Sequence, residues 1–68
     1  MRLSARNVLK GRVTTIVRGA TTAHVKIDVS GTLVTASITN EAVDELGLRE
    51  GDQAYAVIKA SDVMIGKD

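Results

Sequence analysis

The most regular stretch of the chain alternates apolar and polar residues from position 23 to position 29. Ala23, Val25, Ile27 and Val29 occupy every second position, and His24 begins the polar series between them. A two-residue period of this kind is typical of a strand with one buried face. Weaker alternation predicts four more strands, at residues 7–17, 32–39, 53–59 and 62–65.

A single short helix is predicted between the third and fourth strands. Thr39 or Asn40 suits its N-cap, and the acidic Glu41 follows in the first turn. Gly47 is expected to end the helix as its C′ residue. Ser30-Gly31 is expected to turn the second strand into the third. Five strands and one helix in this order predict an all-β protein, an OB-like five-stranded barrel.

The first strand and the turn after it contain two glycines with expected roles. Gly11 indicates a bulge or a sharp bend, although a glycine tolerated near a strand start is an equal alternative. Gly19 would be free to adopt a positive φ in the turn at residues 18–21. Strict alternation would place Val13 and Val17 on one face of the strand and Ile16 on the other.

Length and composition limit the classes of function. The chain has 68 residues, no cysteine, one aromatic residue (Tyr55) and a formal net charge of +1. A core of this size without disulfides is expected to gain stability from oligomerisation. The charge gives no strong field for nucleic acid or anionic lipid. The sequence shows no secretory signal or stretch of about 20 apolar residues, so a cytoplasmic protein without a membrane partner is expected.

Two polar clusters, far apart in the sequence, are candidates for anion binding. Ser4-Ala5-Arg6-Asn7 precedes the first strand, and Lys59-Ala60-Ser61 follows the fourth. Arginine offers a rigid fork of donors, lysine a compact charge, and hydroxyls and backbone N–H groups can complete a cage. Together they suit a small, multiply charged oxyanion. Spacing alone leaves open the alternative that both clusters are solvated strand ends.

No catalytic or metal site is predicted. His24 is the only histidine, and without cysteine it cannot form a soft metal site. The carboxylates of the predicted helix are best explained as a solvated face. No glycine-rich phosphate loop and no pair of nucleophile and base are present. The chain is therefore predicted not to be an enzyme and to need no cofactor.

Three runs of the chain resemble a known family. They are SARNVLKGRV at the start, ASITNEAVDELGL around the predicted helix and REGDQAYAVIKASDVMI near the end. The family is that of the molbindins, small molybdate- and tungstate-binding proteins built from one Mop unit of the TOBE type. The resemblance extends from about Arg2 to Ile65 and implies a single Mop domain over residues 1–68.

The resemblance implies an oxyanion site between subunits of a homohexamer, a trimer of dimers. The cluster at residues 4–7 would form one side of the site and the cluster at residues 59–61 the other, with contributions from neighbouring chains. Its implied residues are Ser4, Ala5, Arg6, Asn7, Thr39, Lys59, Ala60 and Ser61. A second anion site near a threefold axis would use Gly19-Ala20-Thr21. The ligand would be molybdate or tungstate, and the role would be storage or buffering of that anion in the cytoplasm.

Nucleic-acid binding is the main alternative. OB-folds that bind single strands use stacking aromatics and a basic groove, and one tyrosine with a net charge of +1 argues against this mode. The run DELGLREGDQAYAVIK also resembles part of the swapped-hairpin, AbrB-type DNA-binding dimers. That family carries a proline-containing strand, whereas this chain has no proline.

Overall fold

The computed structural model describes residues 1–68 and contains a single antiparallel sheet. Its elements are β1 (Asn7–Arg18), β2 (Thr22–Val29), β3 (Thr32–Thr39), helix α1 (Asn40–Leu46), β4 (Gln53–Ile58) and a turn of 3-10 helix (Ala60–Asp62). The strand order across the sheet is β3-β2-β1-β4. Strand β1 therefore pairs with both β2 and β4. The structure contains no helix with the length and apolarity that crossing a bilayer requires.

The alternation predicted for β2 is confirmed by the burial of its apolar face. Ala23, Val25 and Ile27 are all no more than 6% exposed. The remaining buried residues are Val13, Val43 and Ala56. Because only 6 of 68 residues are buried, one copy of the chain has a small core.

The predicted turn at Ser30-Gly31 joins β2 to β3. Both residues are in the left-handed region, with φ of 49° at Ser30 and 92° at Gly31. Two successive positive φ values are typical of the type I′ turn, whose twist matches that of the flanking strands. The Gly31 N–H also donates to Oδ1 of Asp28 at 2.9 Å, which closes the turn.

Strict alternation was wrong for β1, because the strand contains a bulge. Val13 pairs with Ile27, but Thr15 pairs with Lys26, so the register shifts between Val13 and Thr15. An extra residue in one strand makes every later residue of that strand point to the opposite face of the sheet from the one that strict alternation predicts. Val13 is accordingly buried, whereas Val17 is 65% exposed and Ile16 packs on the core.

Neither Gly11 nor Gly19 has the conformation that the sequence predicted. Gly11 is not the bulge, but a Cβ there would lie 2.5 Å from both the carbonyl oxygen of Asp28 and Cγ2 of Ile27. Glycine is therefore required at position 11 by the close approach of β2. Gly19 does not use a positive φ, which only Gly31, Gly47 and Gly51 among the glycines adopt.

Helix α1 begins and ends as predicted. Oγ1 of Thr39 accepts a hydrogen bond from the backbone N–H of Ala42 at 3.0 Å, so Thr39 is the N-cap. Gly47 has φ of 61° and ψ of 34°, the left-handed conformation that terminates many helices. Val43 anchors the helix on the sheet and is 1% exposed.

The predicted fifth strand at residues 62–65 is absent, and the sheet is open. After β4 the chain enters the 3-10 turn, in which the Asp62 N–H donates to the Lys59 carbonyl at 2.9 Å. This turn redirects the chain, so Val63–Ile65 pairs with no strand. Met64 and Ile65 are 92% and 91% exposed. One chain thus forms a four-stranded open sheet and not a closed five-stranded barrel.

Candidate functional site

The two polar clusters predicted from the sequence meet at one corner of the sheet. Asn7, the first residue of β1, is the Cα partner of Ile58, the last residue of β4. The side-chain Nδ2 of Asn7 donates to the carbonyl of Ile58 at 3.2 Å and ties the two strand ends together. Ser4-Ala5-Arg6 therefore enters the sheet where Lys59-Ala60-Ser61 leaves it. The two clusters, which the resemblance assigned to neighbouring chains, thus already lie side by side within one chain.

The charges at this corner have no counterion within the chain. The single ion pair of the structure joins Arg18 to Asp44, with 2.7 Å between Nη2 and Oδ1. Arg6 and Lys59 are exposed and no carboxylate lies within 4.0 Å of either charged group. Two cations without a counterion favour a multiply charged anion.

Uncommitted donors lie in the same two segments as these charges. The hydroxyls of Ser4 and Ser61 take part in none of the side-chain hydrogen bonds of the structure. The first N–H groups of a 3-10 turn lack partners within the turn, and those of Ala60 and Ser61 bond to no other loop. Hydroxyl and amide donors can complete the coordination of an oxyanion by charge-assisted hydrogen bonds.

Thr39 lies at the opposite end of the sheet from this corner. It is the Cα partner of Thr22, at the start of β2, and therefore sits beside the end of β1. β1 has twelve residues, and eleven steps of about 3.3 Å separate its two ends by roughly 36 Å along the strand. Because Oγ1 of Thr39 accepts the capping bond from Ala42, its hydroxyl hydrogen remains available to a ligand.

The loop Gly19-Ala20-Thr21 packs beside Thr39 and is held by Asn40. The backbone N–H of Asn40 donates to the Thr21 carbonyl at 2.9 Å, and its Nδ2 donates to the Gly19 carbonyl at 3.0 Å. The N–H of Gly19 is used within the loop, by the Thr22 carbonyl at 2.7 Å. The N–H groups of Ala20 and Thr21 and the hydroxyl of Thr21 are therefore left for a second anion.

Asn40 was predicted only as an alternative N-cap, and its role in fixing this loop was missed. The signal was an asparagine directly after a threonine at a helix start, because the second of two capping residues is free for another task. Its Oδ1 is buried and has no hydrogen-bond partner. The structure contains no group of three or more His, Asp or Glu side chains arranged for a metal ion.

Comparison with known proteins identifies close relatives along the whole chain. The TOBE domain family matches residues 3–65. A probable molybdenum-pterin-binding protein of Haemophilus influenzae is 46% identical over 67 residues, which covers 97% of each chain. Molybdenum-pterin-binding protein 1 of Clostridium pasteurianum is 46% identical over 66 residues, covering 96% of this chain and 97% of its own. These names are those of binding proteins and not of enzymes, as predicted.

Solved structures support the same assignment. A molybdate-binding protein from Sporomusa ovata superposes with a TM-score of 0.94 at 37% identity, covering 98% of this chain and 100% of its own. The cytoplasmic molybdate-binding protein ModG, solved with molybdate bound, superposes with a TM-score of 0.89 at 54% identity. That superposition covers 94% of this chain and 46% of ModG. The resemblance to molbindins is confirmed, and this chain belongs to the TOBE domain family.

Proposed function

We propose that this protein binds molybdate or tungstate as a dianion at the corner formed by Ser4-Ala5-Arg6-Asn7 and Lys59-Ala60-Ser61. The observation that carries the proposal is the pairing of Asn7 with Ile58, which brings both clusters together with no carboxylate within 4.0 Å of the charged groups of Arg6 and Lys59. The relatives named for molybdate or molybdenum binding support the choice of anion. No observation favours the nucleic-acid alternative, and the TOBE match over residues 3–65 argues against the swapped-hairpin family.

Selection among oxyanions follows from the chemistry of the donors. The corner offers cations, hydroxyls and N–H groups, and its only side-chain hydrogen-bond acceptors are hydroxyl oxygens and Oδ1 of Asn7. Phosphate keeps a proton at neutral pH, and that proton would be left without a good acceptor. Sulfate carries no proton but is smaller than molybdate, so the size of the cage must discriminate between the two.

The position of Thr39 makes the complete site a property of two copies. Thr39 and the corner are separated by the length of β1, so one chain cannot place both on one small anion. A second copy can bring its Thr39, with its free hydroxyl hydrogen, to the corner of the first. We infer a site between subunits, and the loop Gly19-Ala20-Thr21 beside Thr39 would then also lie at or near the interface.

Exposed apolar surface supports such an assembly. On the core side of the open sheet lies a cavity of about 410 Å³ that is lined almost entirely by apolar side chains, among them Val25, Ile38 and Leu48. The apolar run Val63–Ile65 of the same chain is exposed and unpaired. A second copy that covers the cavity, with this run as a fifth strand, would close the barrel. The proposed assembly is a homohexamer arranged as a trimer of dimers.

The proposed role is storage or buffering of the anion in the cytoplasm, where ModG is described. Isothermal titration with molybdate, tungstate, sulfate and phosphate tests the ligand. Native mass spectrometry with and without molybdate counts subunits and anions together. We expect the first two anions to bind well and the other two much less. Equal affinities for sulfate and molybdate would refute the proposal.

A further inference from the structure

A shallow polar cleft that is largely open to solvent lies on the outer face of the sheet. Its volume is about 300 Å³, and no hydrophobic residue lines it. It is lined by Lys10, Gly11, Arg12, Asp28, Ser30 and Gln53. The strand register explains the grouping, because Arg12 is the Cα partner of both Asp28 on β2 and Gln53 on β4. Partnered residues project from the same face of a sheet.

The unusual feature of this cleft is an opposite-charge pair that does not form an ion pair. Directly opposed Arg and Asp residues ordinarily attract each other across strands. Here Nη1 of Arg12 instead donates to the Gly51 carbonyl at 2.8 Å. Oδ1 of Asp28 accepts from the Gly31 N–H at 2.9 Å. Each charged group is held by a neighbouring turn, and the cleft lies between them.

The two turns that hold these groups have fixed geometry. Gly51 and Gly31 both have positive φ, at 93° and 92°, and Ser30 has φ of 49°. β1 and β2 also approach each other closely, so that a Cβ at Gly11 would lie only 2.5 Å from the Asp28 carbonyl oxygen. The two charged groups are thus each bonded to a backbone group of a turn, the Gly51 carbonyl and the Gly31 N–H, and not to each other.

The charges of the cleft define the ligand that fits it. Lys10 and Arg12 contribute two positive charges, which suit the two negative charges of a dianion, and Asp28 contributes one carboxylate that can accept a hydrogen bond. A neutral zwitterion would offer only one negative group to the two cations. A fully deprotonated anion such as sulfate or molybdate would place an oxygen lone pair against the second carboxylate oxygen of Asp28. The best match is an anion that carries one acidic proton.

We propose that this cleft binds hydrogen phosphate. Its unprotonated oxygens accept hydrogen bonds from Lys10 and Arg12, and its P–OH group donates to the free carboxylate oxygen of Asp28. The cleft thus has the acceptor that the proposed molybdate corner lacks, so the two sites select anions by opposite rules. Inorganic phosphate and phosphomonoesters share this chemistry, and the experiment separates them.

The experiment follows the backbone amide signals of Gly31 and Arg12 by NMR in the intact, uniformly labelled protein. The Gly31 N–H is bonded to Asp28, so its shift reports directly on that carboxylate. At about pH 8, a phosphomonoester has lost its last proton, whose pKa is about 6, while inorganic phosphate keeps one. We expect inorganic phosphate to shift both signals, and sulfate and the phosphomonoester to need at least about tenfold higher concentration.

Three variants make the test specific. Asp28→Asn keeps the oxygen that caps Gly31 but presents N–H donors to the ligand, so we expect phosphate affinity to fall by about tenfold or more and sulfate affinity to rise. Lys10→Gln should also weaken phosphate binding. Lys26→Gln is the matched control, because Lys26 is exposed on the same face of β2 but does not line the cleft.

The inference would be overturned if tens of millimolar phosphate left the Gly31 amide signal unshifted, or if sulfate and phosphate bound with equal affinity. It would also be overturned if Asp28→Asn kept the wild-type preference for phosphate over sulfate, or if Lys10→Gln and Lys26→Gln lost phosphate affinity equally. The proposed molybdate site is tested independently. Arg6→Ala should leave the phosphate response intact, and molybdate should not shift Gly31.

Discussion

Thr39 caps α1 and, in the proposed function, also donates to the anion, and a set of substitutions can separate these two roles. Its Oγ1 caps α1 by accepting from the Ala42 N–H, while its hydroxyl hydrogen is free for a ligand. Thr39→Ala removes both functions and should lower the free energy of unfolding by about 1 kcal/mol, within the range of roughly 0.5–2 kcal/mol for lost caps. In a domain of this size that corresponds to a melting temperature about 4–8 °C lower. Thr39→Asp keeps a capping oxygen and should leave stability nearly unchanged.

Anion binding should follow a different order from stability. Thr39→Ala removes one hydrogen bond to a charged ligand, worth about 1.5–3 kcal/mol, and should weaken molybdate binding roughly tenfold to a hundredfold. Thr39→Asp should weaken it more, because a carboxylate then faces the anion. Thr39→Ser should retain both functions. Calorimetric titration and thermal melting at one protein concentration measure the two properties. Wild-type binding by a well-folded Thr39→Asp protein would refute the role of Thr39.

Mixing two defective proteins tests whether the site is shared between copies. Arg6→Ala lacks the corner cation and Thr39→Asp lacks the opposing hydroxyl, so neither should bind molybdate alone. After refolding together, some interfaces would combine the Arg6 of one chain with the Thr39 of the other. Part of the binding capacity should then return. If none returns although mass spectrometry detects mixed assemblies, the two residues do not meet at an interface.

Three further predictions concern the ligand, the fold and the excluded partner. Molybdate at a hundredfold excess over Kd should stabilise the wild type by about 2.7 kcal/mol per site, and most of this gain should be absent in Arg6→Ala; equal shifts in melting temperature would contradict that role. Gly11→Ala should cost at least about 1–3 kcal/mol in denaturant unfolding, because its Cβ meets backbone at 2.5 Å, whereas Gly66→Ala, with nothing within 4 Å, should be neutral. Gel shifts should detect no DNA or RNA binding at physiological salt, and a complex that weakens steeply with salt would reverse this expectation.

The sequence predicted the elements that depend on local chemistry. The alternation in β2 correctly predicted which of its residues are buried, because that strand has one apolar and one polar face. Thr39 and Gly47 marked the helix because capping requires an oxygen acceptor at one end and a left-handed residue at the other. The Ser30-Gly31 turn was recognisable for the same reason.

The predictions that failed concern features that depend on contacts between segments distant in the sequence. The bulge in β1 lies where Val13 bonds to the turn before β4. The Val13 carbonyl accepts from the Gly51 N–H, and the Val13 N–H donates to the Asp52 carbonyl, both at 2.8 Å. No periodicity in β1 alone could locate that docking. The run Val63–Ile65 has the pattern of a strand, but pattern cannot say whether its own chain offers an edge to pair with.

The candidate site shows the same limit. Proximity of the two polar clusters followed once β1 and β4 were neighbours and antiparallel, because the start of one then meets the end of the other. Thr39 had been grouped with them by resemblance alone. The register shows that the end of β3 lies beside the start of β2 and the end of β1, which is the far end of the sheet.

This separation links anion binding to assembly in the proposed function. One end of the sheet carries two cations with no counterion, and the other presents the free hydroxyl hydrogen of Thr39. Without the anion, covering this corner with a second copy removes water from two cations that have no counterion and gains little from one hydroxyl. With the anion, the charge is compensated and the hydroxyl has an acceptor. The same ligand that fills the site therefore removes the electrostatic cost of the contact, so the molybdate concentration should control both the occupancy of the site and the stability of the oligomer.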